Sequence, residues 1–240
     1  VAQGIEHRFP KPCVGCSNHP EGASDDHGPL PLRGGHGYPA RVRRADHPLA
    51  GIRQQHPRLW PALVEDARVT ALYRSERHEF TSNVDAAAQI LRLMVVADAF
   101  LAQACYRLKA RLQALGIPGL PRVAHRLAVA LSQVDIGDPV VVAPGLYLFH
   151  GQVVIDGLTK VGPGARIGPF VTIGLREGDL RGPVLGTGVS IGTGAKVLGR
   201  VHLGDRAKVG ANAVVLIDVP ADAVATGVPA TVRRPAERPR

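Results

Sequence analysis

Residues 191–210 read IGTGAKVLGRVHLGDRAKVG, and within them Ile191, Val197, Leu203 and Val209 stand six residues apart, three of the four followed directly by glycine. A helix repeats its faces every 3.6 residues and an ordinary strand every 2, so neither yields a period of six. Working outward, the same comb runs back through Leu185, Ile173, Ile167, Val161, Ile155, Leu148, Val142 and Ile136, and forward to Val215. Four residues after most of these comes a small or β-branched side chain: Val140, Thr159, Ala165, Val171, Val189, Ala195, Val201, Ala207 and Ala213. A fixed hexad is the signature of a parallel β-helix. Three short strands make one triangular coil, the comb residues fill the prism, and coils stack about 4.8 Å apart. Glycine after the comb residue stands where the chain turns a corner and a Cβ would clash. A β-sandwich, with period-two strands and irregular turn spacing, does not generate this comb.

Composition agrees with a narrow aliphatic core. The chain has 240 residues, of which 45% are hydrophobic and only 4% aromatic. The formal charge is +9, but basic residues are spread along the chain and the dense cluster is the terminal RRPAERPR, so no nucleic-acid partner is expected. Cys13, Cys16 and Cys105 are too few for a disulfide scaffold, which makes a reducing cytoplasm the default location. The stretch AAAQILRLMVVADAFLAQACYRL (86–108) carries Arg92, Asp98 and Arg107 and reads as a buried amphipathic helix, so no membrane span is expected.

Residues 1–56 are rich in Gly, Pro, His and Arg without periodicity, and little order is expected there. The opening VAQGIEHRFPKPCVGCSNHP is similar to a transfer-RNA gene read in a protein frame, the chain opens on Val1, and its only methionine is Met94. The first 28 or so residues are accordingly read as a candidate misplaced start, and Cys13 and Cys16, lacking a second CxxC, are not read as a zinc site. Helical patterning covers 58–75, 84–115 and, after GIPGLP, 119–133. The expected plan is α+β: a tail (1–56), a helical domain (57–134), a β-helix (135–219) and a C-terminal tail (220–240).

The order of a helical domain, VDIG (134–137), a histidine fifteen residues after Asp135, an interrupting loop with GD (178–179), IGTGAKVLG and a closing TGVPA (226–230) resembles the bacterial serine O-acetyltransferase family over roughly residues 85–234. The resemblance implies a left-handed β-helix, a homotrimer or dimer of trimers, acetyl-CoA as donor, and the first step in making cysteine. It also places His150 at the family's general base and Asp135 at the carboxylate that orients it. The chemistry is consistent: an alcohol is a poor nucleophile at neutral pH, and an imidazole held in one tautomer can take its proton as it attacks a thioester. His150 sits mid-hexad in LYLFHGQVV and should face outward.

For the donor, the resemblance points to Gly174, Thr193, Gly194 and Ala211 along the groove, with Lys196, Arg233 and Arg234 meeting phosphates. For the acceptor it keeps an arginine, Arg181, able to pair with a carboxylate. Two positions depart from the family: Phe149 replaces an aspartate before the catalytic histidine, and Gly182 replaces a histidine in the interrupting loop. The resulting pocket is more apolar, which makes another small alcohol or amine the alternative acceptor. His202 has no comparable partner and is read as surface.

Other classes fit less well. A β-helix carbonic anhydrase needs three histidine ligands, whereas the comb region holds only His150 and His202, so no metal is expected. A catalytically silent assembly module is the remaining alternative. The family's docking to cysteine synthase uses a C-terminal isoleucine, and this chain ends ERPR, so no stable complex with that enzyme is expected.

Overall fold

Helices α1 (Leu59–Tyr73), α2 (Asn83–Val96), α3 (Phe100–Ala114) and α4 (Leu120–Ser132) precede a solenoid of short strands in the computed structural model, which describes residues 51–177, 179 and 181–233. The expected tail thus lies outside the described residues except for 51–56, which include one 3-10 turn, Arg53–Gln55. Cys13, Cys16 and Arg234 lie outside them too. Among the described residues no helix is long and apolar enough to cross a membrane.

The caps of two helices are legible in the sequence. Ser82 precedes α2 and its hydroxyl accepts the Asp85 N–H at 3.1 Å, satisfying one of the unpaired amides of the first turn. The Asp85 carboxyl in turn is held well below the usual carboxylate range, chiefly by hydrogen bonds from Arg77. Gly119, with φ of 79°, turns the chain into α4, whose first turn holds Pro121.

The helix expected over 84–115 is two helices, α2 and α3, broken at 97–99. Each half buries a different face against a different target. Ile90 and Leu93 of α2 pack with Ala67 of α1 into a small cluster that Ala97 in the break and Phe100 at the start of α3 complete, whereas Ala102, Cys105 and Tyr106 further along α3 join the β-helix core. A straight helix cannot serve both, and extended backbone at Ala97 makes the corner.

The strands run in coils of three. The first coil is β1 (Val134–Ile136), β2 (Val141–Val142) and β3 (Tyr147–Leu148). The second is β4 (Val153–Ile155), β5 (Lys160–Val161) and β6 (Arg166–Ile167). The third is β7 (Thr172–Gly174), β8 (Val184–Leu185) and β9 (Ser190–Ile191), and the fourth is β10 (Lys196–Leu198), β11 (His202–Leu203) and β12 (Lys208–Val209). The fifth has β13 (Val214–Val215), a bridge at Val219 and β14 (Val224–Thr226). Three parallel faces result, with strand orders β1-β4-β7-β10-β13, β2-β5-β8-β11 and β3-β6-β9-β12-β14, and β15 (Thr231–Arg233) folds back antiparallel on β14. This is the expected left-handed β-helix.

Every comb side chain from Ile136 to Val215 is buried, as are the small residues that alternate with them. Each fully buried aliphatic contributes roughly 1.5–3 kcal/mol relative to exposure. Glycine after the comb residue serves close approach of the next coil: a Cβ on Gly192 would lie 2.7 Å from the Ala211 nitrogen. The strands continue past residue 219, where the β-helix was expected to end. The aliphatic comb fades there because Ala225, paired with Val209, fills the last coil with a methyl group.

The open end of the first coil is sealed by α3. Along the strands of the solenoid each coil donates N–H groups to the carbonyls of the next, as in Val141 to Thr159 and Tyr147 to Ala165. The first coil's own carbonyls therefore have no preceding coil to pair with, and buried carbonyls need partners. A row of donors on α3 supplies them. Gln103 donates to the Leu146 carbonyl, Tyr106 to Val140, Arg107 to Val142 and Ala143, and Lys109 to Ile136. Burial pushes the Tyr106 phenol up to about 12, so it remains a neutral donor.

Candidate functional site

Successive coils turn from the third face to the first at 149–152, 168–170, 192–194 and 210–212, and these corners stack into one edge of the prism. His150 occupies the first corner. Thr193, Gly194 and Ala211 occupy the third and fourth, about 10 and 15 Å along the edge at the coil spacing. Lys196, on the first face, reaches back to the same edge, where its ammonium donates to the Phe170 carbonyl at 2.6 Å. One edge thus carries the imidazole and four of the positions expected to hold the donor.

The fit at individual donor positions differs. Gly194 has φ of 74° and its N–H already donates to the Pro169 carbonyl at 2.9 Å, so it contributes shape rather than a free amide. Gly174 ends β7 with open space where a Cβ would stand. Arg233 ends β15, exposed at the far end of the third face.

His150 is exposed and lines an open cleft of about 430 Å³ with Asp98, Leu131, Ser132, Gln133, Gly151 and Gln152. The corner is held tightly from behind. A Cβ on Gly151 would overlap the Ser132 carbonyl oxygen at the end of α4, and the Gln152 N–H donates to that oxygen at 3.3 Å. His150 Nδ1 lies 2.9 Å from the Asp98 carboxylate. A carboxylate only accepts, so the proton of the neutral ring sits on Nδ1 and Nε2 presents its lone pair.

Asp135 stands on the outward side of β1, in register with Val154, and within one chain its ionic neighbour is His125 of α4, at 3.6 Å. These two line a separate cavity of about 300 Å³ with Arg122, Asp138 and Asp156. The structure therefore does not bring Asp135 and His150 together within one chain.

Beside His150, Phe149 packs on Tyr147 with ring centroids 5.0 Å apart, and Tyr147 stacks on Tyr73 of α1 at 4.8 Å. Burial pushes the Tyr147 phenol up, which keeps that ring neutral.

Arg181 and Gly182 belong to the loop joining the first face to the second, at a different edge of the prism. They line a cavity of about 380 Å³ with Leu158, Val184, Arg200, Val201 and His202. Asp179 braces the loop, accepting the Arg181 N–H at 2.9 Å and facing Arg200 at 3.6 Å. Gly182 is pressed on the second coil, and a Cβ there would overlap the buried Thr159 hydroxyl. Its glycine is a packing requirement and leaves no space for a side chain.

Sequence reasoning missed Asp98, which it placed inside a continuous helix, and it treated His202 as plain surface although His202 and Arg200 share the Arg181 cavity. The signal for Asp98 was the local VVADAF, where two β-branched residues precede an acidic residue flanked by small ones.

Comparison with known proteins gives one family match and a consistent set of relatives. The family model for the bacterial transferase hexapeptide (six repeats) matches residues 182–216. A serine acetyltransferase of Synechococcus elongatus is 34% identical over 150 residues, which cover 61% of this chain and 62% of that protein. One of Helicobacter pylori is 39% identical over 127 residues, covering 51% of this chain and 74% of the relative. The chain thus spans less than two thirds of the first of these and about three quarters of the second. Among solved structures, Neisseria gonorrhoeae serine acetyltransferase in complex with serine superposes with a TM-score of 0.62 at 27% identity, over 75% of this chain and 71% of that one. A serine acetyltransferase in complex with CoA gives 0.60 at 25% identity, over 76% and 72%.

Proposed function

The chain belongs to the serine acetyltransferase family, and from that premise we propose that it moves the acetyl group of acetyl-CoA to the hydroxyl of serine or a serine-like small acceptor, with His150 as general base. The observation that carries this reading is the shared edge: an exposed imidazole with Nδ1 held by a carboxylate, on the same prism edge as Thr193, Lys196 and Ala211. Nε2 takes the hydroxyl proton as the oxygen attacks the thioester carbonyl. The tetrahedral intermediate collapses with loss of the C–S bond, and the imidazolium returns the proton to the departing thiolate. Acceptor ester and free CoA thiol are the products.

In this proposal a second copy of the chain completes the site. The acceptor loop with Arg181 lies on a different prism edge from His150, and the two cavities are separate within one chain. A trimer would set the loop edge of one copy against the imidazole edge of the next, and Arg181 would then pair the acceptor carboxylate.

A less polar alcohol or amine is the second reading, favoured by the aromatic shelf of Phe149, Tyr147 and Tyr73 beside His150. The test is thiol release from acetyl-CoA by the purified protein, with serine and a panel of small alcohols and amines. Acceptor-dependent release is expected. No release with any acceptor, from protein that binds acetyl-CoA, would refute the transferase reading.

A further inference from the structure

We infer that Asp98, at the break between α2 and α3, is the residue that positions the His150 imidazole, so that the helical domain supplies half of the catalytic pair. The inference rests on the reading of His150 as general base and adds a role that the sequence assigned to Asp135.

Three observations carry it. The Asp98 carboxylate is 2.9 Å from Nδ1, the ring nitrogen that must hold the proton if Nε2 is to act as base. The backbone that presents Asp98 is fixed, because its neighbours Ala97, Ala99 and Phe100 are all buried. The helix that follows is tied to the very coil that ends in His150: Gln103 bonds the Leu146 carbonyl at 3.2 Å, and Tyr106 bonds Val140 at 2.9 Å. Asp98 and His150 are thus two projections of one rigid assembly, the geometry that positioning requires. The pair has no comparable structural duty. Within one chain both side chains are more than half exposed, at 71% and 65%, and such a pair adds little to the folding of that chain. Asp135, whose ionic partner is His125, lines a separate cavity on the first face.

The charge on Asp98 also has a chemical use. As Nε2 takes the acceptor proton the ring becomes cationic, and a carboxylate on Nδ1 stabilises that cation without itself being protonated. An amide in its place can donate to Nδ1 and favour the wrong tautomer.

The experiment compares Asp98→Asn, Asp98→Glu, Asp135→Asn, His150→Ala and Asp98→Asn/His150→Ala in the full chain, reading kcat, KM for acetyl-CoA, melting temperature and the ¹⁵N signals of the His150 ring. For Asp98→Asn we expect kcat to fall roughly 10- to 100-fold, less than the loss from removing the base. KM for acetyl-CoA and melting temperature should stay put, the protonated-Nδ1 signal should weaken, and the double variant should be no slower than His150→Ala alone. Asp98→Glu should recover part of the rate. The inference is overturned if Asp98→Asn keeps both its rate and its Nδ1–H signal, or if Asp135→Asn is the change that abolishes that signal. Full activity in His150→Ala would instead defeat the general-base reading, a result distinct from either of these.

Discussion

The carboxylate of Asp66 on α1 and the guanidinium of Arg107 on α3 meet through two hydrogen bonds, 2.8 and 3.0 Å, in a place where both residues are almost wholly buried. The pair is more than a contact between helices. Asp66 also accepts the N–H groups of Gly145 and Leu146, while Arg107 covers the carbonyls of Val142 and Ala143. Two helices are thereby clamped to the first coil just before the corner that carries His150. Removing one member strands the other charge in the interior, a loss of about 3–5 kcal/mol. Asp66→Ala should therefore lower the unfolding free energy by about that amount, read from the denaturation midpoint. Asp66→Leu with Arg107→Met should recover part of it, since no lone charge remains. A shift under about 1 kcal/mol in the single variant would mean the charge finds water or another partner.

His150→Ala should lower acetyl transfer by roughly 10²- to 10⁴-fold, the usual contribution of a general base. Its side chain faces the open cleft, so melting temperature and oligomeric state should match the parent. Activity within threefold of the parent would remove His150 from the mechanism.

His56 gives a pH dependence of defined sign. Its ring packs edge-on to Tyr106, and burial first, then the charges of Arg107 and Lys109, hold its pKa below the ordinary 6.5. The unfolded chain then binds a proton more readily than the folded one. Stability should fall as pH drops through 6.5, and the loss should be complete once pH is below the folded value. His56→Gln should flatten the change in melting temperature between about pH 7.5 and pH 5. An unchanged slope would place the acid sensitivity in other groups.

The β-helix was legible because a period of six leaves almost no architectural alternative, and each of Ile136 through Val215 met the burial that period demands. The break at Ala97 was not legible, because periodicity records which face is apolar and not what each half is packed against. Leu93 and Tyr106 both read as core, yet they enter different clusters. The site divided the same way. His150 and the positions at 193–194 and 211 came from the family resemblance, and hexad register adds that they share one prism edge. Asp98 lies 52 residues from His150 in the chain, and only the docking of α3 on the first coil brings the two together. Gly182 read in sequence as the loss of an imidazole, and only the packed coils show that the second coil fills the space beside it.

That last point decides how serine preference can be tested. A serine ammonium desolvated without a carboxylate costs several kcal/mol, and Phe149 stands where the family's matching aspartate would be. Restoring both departures at once would mix a packing cost with the charge effect, because a side chain at 182 meets Thr159, whose hydroxyl is bonded to the Asp156 carbonyl at 2.6 Å. Gly182→Ala alone should cost about 1–3 kcal/mol of stability by overpacking, read as a lower melting temperature. Phe149→Asp is the informative change, since Phe149 is 38% exposed and its loss disturbs only the stack on Tyr147. We expect it to raise kcat/KM for L-serine about tenfold or more, the effect of roughly 1.4 kcal/mol of added charge pairing, and to lower it for acceptors without an ammonium group. A fall in serine turnover with the fold intact would show that the aromatic face, and not a missing carboxylate, sets the acceptor.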